Sequence, residues 1–219
     1  MLNQKTLLIF SPTIEDGGVE KNLFNISNFL SAKIDNIFLI TANTNKKRNF
    51  NRKINIIAPN SYYWIHKSRF IKTLICLKLF INFFLTHKNK IVVFSFNSNL
   101  YAILIGIIFN YKVIIRSNTS PLSYSSNLIK KKIFSFFFKF ADELIVNSLE
   151  FKNQIKNEFN LNAKYIYNPL ENLKEINKKA NQRFKFNFFK KKHINIVSLG
   201  RLVKQKDQLT ILKAVNLLK

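Results

Sequence analysis

Apolar positions along the chain fall into two alternating patterns, short continuous runs and longer stretches at helical spacing. Leu7 to Phe10 is a run of the first kind, and Val19, Leu23, Phe24, Ile26, Phe29 and Leu30 follow it at the helical period. The same alternation then repeats. Runs at 36–41 (NIFLIT), 54–58, 91–96 (IVVFSF), 112–116 (KVIIR), 143–146 and 163–167 predict strands, and Pro59 and Pro169 stop two of them. Helical spacing predicts helices over 67–90, 97–109, 128–140 and 149–159. Ser148 reads as the N-cap of the last, with Phe151 where a full capping box would place Glu. The connections are a basic loop at 43–53, an aromatic segment Ser61 to His66 that packs on the core or surface or lines a cleft, and a polar loop at 117–126. Strands alternate with helices and no hairpin series appears, so the pattern predicts an α/β fold with a Rossmann-like, doubly wound, mainly parallel sheet.

The pattern lapses at 171–192. This stretch is polar, holds eight Lys/Arg against two Glu, and reads as an interdomain linker. A fresh strand is predicted at 193–199 (HINIVSL), then a turn at Gly200-Arg201 and a helix over 207–218 with Asp207 placed to cap it. The expected organisation is a domain over 1–170, a linker over 171–192, and over 193–219 the first βα unit of a second Rossmann-like domain, truncated because one strand and one helix cannot bury a core.

Charge changes the picture in one respect. The formal net charge is +25, and no Asp or Glu occurs between Asp35 and Asp142. Abundant Lys, Asn, Ile and Phe together are what an AT-rich coding sequence produces, but an acid-free span this long still presents a positive face. Nucleic acid, anionic lipid and a phosphorylated substrate are the candidate partners. No reading helix, zinc module or aromatic-basic RNA motif is present, so nucleic acid is not expected. The stretch 67–90 is apolar enough to suggest a membrane span, but Lys72 and Lys78 interrupt it below the roughly 20 residues a span needs. With six Lys/Arg and no acid it reads as an amphipathic helix, packed on the sheet or dipped into an anionic bilayer surface. Hydrophobic residues make up 47% of the 219, which excludes global disorder. The lone Cys76 rules out a disulfide framework, and the start MLNQKTLLIF lacks a secretory signal. A cytoplasmic location follows, peripheral on the inner face of the cytoplasmic membrane at most.

Several chemistries are excluded by motif. His66, His87, His193 and Cys76 are scattered and do not make a zinc site. The chain has no GxxxxGK[ST], no GxGxxG and no GxSxG, and the acid-free span leaves no glycosidase-like carboxylate pair there. What remains are polar residues at the C-terminal ends of strands, where open α/β sheets bind ligands. They are Gly17 and Gly18, Asn97, Arg116 and Asn118, Asn168, and Arg201 with Lys206. The paired glycines fit a tight strand-to-helix turn whose amides hold a phosphate or sugar hydroxyl, and they equally fit a plain Gly-rich turn. Each of the others alone reads as a cap or turn residue. Together they lie on one rim.

On these residues the chain resembles the family-four glycosyltransferases of the two-domain GT-B type over nearly all its length. The carriers are GGVE at 17–20, FSFNSN at 94–99, VIIRSNTSP at 113–121, ELIVNS at 143–148, YNPL at 167–170 and, most specific, SLGRLVKQKDQLTILKA at 198–214. The resemblance implies transfer of a sugar, with retention, from a nucleotide-diphosphate sugar to a cell-envelope glycan or lipid-linked acceptor. It implies a metal-free site in which Arg201 and Lys206 grip the donor diphosphate, and the loop of Gly17 and Gly18 approaches it from the other domain. Asn97, Arg116, Asn118 and Asn168 then belong to the acceptor side or cleft. Fixed cations and a helix N-terminus would stabilise the charge on the leaving diphosphate. In similar enzymes the departing phosphate helps deprotonate the acceptor, so no separate base is implied.

Two features depart from the family pattern. Its paired glutamates, seven residues apart in the second domain, would fall beyond Lys219, and many relatives carry His near the position of Asn97. The sequence is thus expected to be a fragment without turnover of its own. A second class remains open, a non-catalytic basic module for membrane or nucleic acid that uses the sheet as scaffold. Arg201 paired with Lys206 after a GRL turn discriminates against it. A GT-B epimerase or phosphorylase-like enzyme shares the fold with different chemistry.

Overall fold

The computed structural model describes residues 6–15, 17–87, 90–125, 127–170, 173–182, 194–200, 202 and 206–217. The chain separates into two units, Met1–Glu171 and Asn172–Lys219. In the first unit the elements follow in the order β1 (Thr6–Phe10), α1 (Gly18–Ser31), β2 (Ile37–Ile40), β3 (Asn55–Ile57), α2 (Arg69–Thr86), β4 (Ile91–Ser95), α3 (Asn99–Phe109), β5 (Lys112–Ser117), α4 (Leu122–Ser125), α5 (Leu128–Phe138), β6 (Glu143–Val146), α6 (Leu149–Phe159) and β7 (Lys164–Tyr165).

The seven strands form one sheet in the order β3-β2-β1-β4-β5-β6-β7, and every pairing is parallel. The alternation of strand side chains divides the core between its two faces. Leu7 and Ile9 pack with Ile37, Leu39 and, from α1, Leu23 on one face. Leu8, Phe10 and Ile40 pack on the other with Cys76 and Phe80 of α2 and Ala102 and Ile103 of α3. The central strands β1, β2 and β4 therefore read as continuous apolar runs, because both their faces are covered.

Local chemistry sets the helix ends. Ser68, Asn127 and Ser148 cap α2, α5 and α6 by accepting backbone N–H groups, Ser148 from Phe151. Asn110 and Asn160 end α3 and α6 in the left-handed conformation that Asn tolerates. Gly106 lets α3 lie close on β5, since a Cβ there would stand 2.2 Å from Val113 Cγ2.

The structure departs from the sequence pattern in places. A 3₁₀ helix, Thr44–Asn49, occupies the basic loop, another, Tyr62–His66, forms the aromatic connection, and α4 interrupts the polar loop. All three are short and rest on local backbone bonding, i→i+3 in the two 3₁₀ helices, which apolar periodicity does not register. Tyr62 and Tyr63 are exposed, and Lys67 Nζ sits 3.9 Å from the Tyr63 ring centroid, so the aromatic connection packs on the surface. β7 keeps only two residues of the expected five, being an edge strand paired with β6 alone. In the second unit α7 (Leu173–Ala180) is a helix inside the stretch read as linker. Its Glu175–Lys179 ion pair is spaced i,i+4, a helix-compatible pattern that a count of basic residues overlooks. The expected strand at 193–199 is not formed over 194–199, which pairs with no strand among the described residues, and His193 lies outside them. An isolated strand has no ladder to satisfy its backbone groups. α8 (Gln208–Asn216) follows Asp207, whose side chain does not cap the backbone but accepts from the Thr210 hydroxyl at 2.8 Å.

Candidate functional site

The sheet order places the site. β1 pairs with β2 on one side and β4 on the other, so the chain leaves β1 outward through β2 and β3 and returns to lay β4 on its opposite edge. The loops after β1 and β4 diverge at that point, which opens a crevice beyond the carboxyl ends of the strands. A cavity of about 440 Å³ lies there, bordered by the β1–α1 loop, the start of α3, the segment after β5, and α4 and α5.

Asn97 spans the crevice. Its Nδ2 donates to Ser11 Oγ (3.1 Å) and to the Thr13 carbonyl (2.9 Å), tying the loop after β4 to the loop after β1. Asn118 Nδ2 donates to the Phe96 carbonyl at 3.3 Å. Both amides spend their N–H groups on the protein, and the carbonyl oxygens of both are buried without a partner. Asn99 links the neighbouring strand ends, accepting from Ser95 Oγ (2.8 Å) and donating to the Arg116 carbonyl (3.2 Å). Ser98, between these residues, holds a left-handed backbone (φ 58°) and leaves the first turn of α3 without a side-chain cap.

Arg116 is the largest side chain buried this completely, at 1% exposure, and it also borders the cavity. One terminal nitrogen donates to the Ile166 carbonyl and to Asn168 Oδ1, both at 3.0 Å, while Nε is buried and unpartnered. No carboxylate among the described residues pairs with it, and burial lowers its pKa from the ordinary arginine value. On the other side of the cavity Arg69 makes two 2.6 Å bonds to Glu15, whose charge and hydrogen bonds hold the guanidinium pKa above its usual value. That pair ties the β1–α1 loop to the start of α2. Glu20 accepts from the Glu15 amide (3.3 Å) on the same rim.

The rim residues singled out from sequence are only partly brought together. Asn97, Arg116 and Asn118 border one cavity, and Asn168 stands behind it as a partner of Arg116. Gly17 and Gly18 begin α1 beside the cavity, whose wall is formed instead by Val19 and Glu20. The turn does not demand glycine. Gly17 is extended (φ −166°), a Cβ there would meet only the flexible Glu20 carboxylate, and one on Gly18 would meet nothing within 4 Å. Lys206 is exposed in the second unit, and Arg201 lies outside the described residues. Ser11, Thr13, Glu15, Arg69 and Asn99 were not singled out. Asn99 lies within FSFNSN, but its bond to the β5 carbonyl depends on strand neighbours no motif reveals. Among the described residues no group of three or more His, Cys, Asp or Glu could hold a metal ion, and no helix is long and apolar enough to cross a membrane.

No protein-family model matches the chain, and no curated protein sequence does. Solved structures do. HepE of Anabaena in complex with UDP and glucose superposes with a TM-score of 0.54 at 12% identity, over 76% of this chain and 45% of that one. The same protein with UDP-glucose gives 0.51 at 14% identity, over 76% and 44%. A UGT of Glycyrrhiza uralensis complexed with glycyrrhetinic acid 3-O-monoglucuronide gives 0.50 at 10% identity, over 74% and 48%. The chain spans less than half the length of these solved structures. What they share with it is the fold, a parallel Rossmann-like sheet flanked by helices, of the kind found in GT-B glycosyltransferases.

Proposed function

We propose that the chain is the acceptor-side part of a nucleotide-sugar-dependent glycosyltransferase. The observation that carries this reading is the polar crevice at the β1/β4 switch point, on a fold shared with a protein solved with UDP and glucose. Its finer terms are those of a family-four enzyme, which transfers with retention to an envelope glycan or lipid-linked acceptor. Gly17, Gly18, Arg201 and Lys206 meet the donor diphosphate, without a metal. Asn97, Arg116, Asn118 and Asn168 shape the acceptor side. Open backbone at Gly18, whose Cβ position meets nothing within 4 Å, at a helix start without a side-chain cap supports close approach of an anionic ligand. Cations at a departing diphosphate lower the barrier by stabilising charge as it develops.

The reading includes attachment to an anionic membrane on the cytoplasmic side. Phe70, Leu74, Ile81 and Leu85 leave one stripe of α2 exposed, while Cys76, Phe80 and Phe83 face the core. Exposed Leu104, Ile107 and Ile108 of α3 and Leu128, Ile129 and Ile133 of α5 add apolar surface, with Lys130, Lys131 and Lys132 among the latter. Apolar surface interleaved with cations is what an anionic bilayer surface accommodates.

The test uses the intact protein, radiolabelled UDP-sugars and a membrane extract as acceptor source. Transfer is expected, with the donor's anomeric configuration kept in the product by NMR, and Arg201→Ala is expected to reduce it at least a hundredfold, of the order seen when a transition-state charge partner is removed. Unchanged transfer in that variant removes the donor assignment. An inverted product removes retention.

A further inference from the structure

We infer that the crevice seats an oxyanion of a hydroxylated ligand on Arg116, so that the acceptor is an anionic sugar, bearing a phosphate or a carboxylate. This rests on the acceptor-side reading above and names the substrate class that the site takes. A buried charge ordinarily has an opposite charge beside it, because an unpaired one carries an uncompensated desolvation cost. Arg116 has none among the described residues, its Nε lacks any partner, and its two bonds are to neutral oxygens, the Ile166 carbonyl and the Asn168 amide. The side chain is nine-tenths and more buried, yet it borders the cavity. Its desolvated state is also evident in the lowered pKa.

The rest of the lining completes the description of the ligand. Asn97 Oδ1 and Asn118 Oδ1 can only accept, and both are buried without a donor in residues that border the cavity, so hydroxyl or N–H groups of a ligand are what would complement them. The first turn of α3, whose amides have no side-chain cap, borders the same cavity and favours negative charge. Two carboxylates also face the cavity. Glu15 is neutralised by the bidentate Arg69, and Glu20 lies on the α1 side, where it favours hydroxyls over a second anion. A neutral sugar would satisfy the two amide oxygens and leave the guanidinium uncompensated.

The experiment titrates the 219-residue chain with glucose 6-phosphate, glucuronate and glucose by calorimetry, each with and without saturating UDP. At least one anionic sugar is expected to bind about tenfold or more tightly than glucose, the gain of a charge-assisted bond. Arg116→Gln should abolish that preference, and UDP should not compete. Preference for the phosphate or for the carboxylate identifies which oxyanion the seat takes. Equal binding of all three sugars, a preference that survives in Arg116→Gln, or displacement by UDP overturns the inference, the last by giving the seat to the donor. Should the variant fail to fold, the Arg116 Nε–H resonance of ¹⁵N-labelled wild-type chain decides. It is expected to shift on saturation with the preferred anionic sugar, and an unmoved resonance overturns the inference. Absence of sugar transfer by the intact protein would instead count against the glycosyltransferase reading and leave the anion seat standing.

Discussion

Individual residues here are legible when their role is local and opaque when it depends on what the fold brings near. Ser148 was readable as a cap, because its partner Phe151 N is three residues away. Gly106, the glycine inside α3, is by contrast the contact on which α3 and β5 close, which its place in the helix does not reveal. Gly106→Ala is expected to destabilise the chain by about 1–3 kcal/mol, as overpacking does, because the obstructing Val113 is β-branched and sits in the buried core. Urea denaturation measures it, and an unchanged midpoint would contradict the close approach. Cys76 gives a pH-dependent expectation. Burial pushes its thiol pKa up to about 12 from 9.0, with Lys72 opposing the shift. The folded state therefore holds the proton to higher pH than the unfolded chain. The thiol's contribution to stability is complete below pH 9.0 and is lost as pH rises from there toward about 12. In native protein near pH 8 the thiol should react with a disulfide reagent far more slowly than in denaturant, and equal rates would show that it is not buried.

At the scale of elements, periodicity located most strands and helices of the first unit and missed those with little apolar signal. The two 3₁₀ helices and α4 follow from local hydrogen bonds, and α7 from a charged pair at helical spacing. The stretch 67–90 had two readings, buried crossover or membrane contact. α2 packs one face into the core, as the crossover reading expects, and leaves another face bare. Phe70 and Leu85, 61% and 67% exposed, stand on the bare face. The double variant Phe70→Ser/Leu85→Ser is expected to weaken flotation with anionic vesicles about tenfold or more, at 25 cal/mol per Å² of apolar surface withdrawn from water, while leaving the melting temperature nearly unchanged. Wild-type binding should also fall as salt rises, since cations hold the surface to anionic headgroups. Flotation equal on neutral and anionic vesicles would remove the membrane part of the proposed function.

At the scale of the whole molecule, sequence alone determined the alternation of elements, hence an α/β class with a parallel sheet, and the polar residue types that follow strands. Those are consequences of period and local stereochemistry, which act within a few residues. Only the tertiary structure decided that β1 lies between β2 and β4, that the crevice opens there, and which polar residues share it. Asn97 meets Ser11 across 86 positions and Arg116 meets Asn168 across 52. No local pattern encodes such distances, because strand order is settled by how all the helices cover both faces of the sheet together. Gly17 and Gly18, which fitted a phosphate-holding turn or a plain one, stand where glycine is not demanded, and Arg116, which alone read as a cap or turn residue, is a buried charge without a counter-charge among the described residues. Charge compensation depends on a side chain's neighbours in space, so it becomes visible only when the chain is folded.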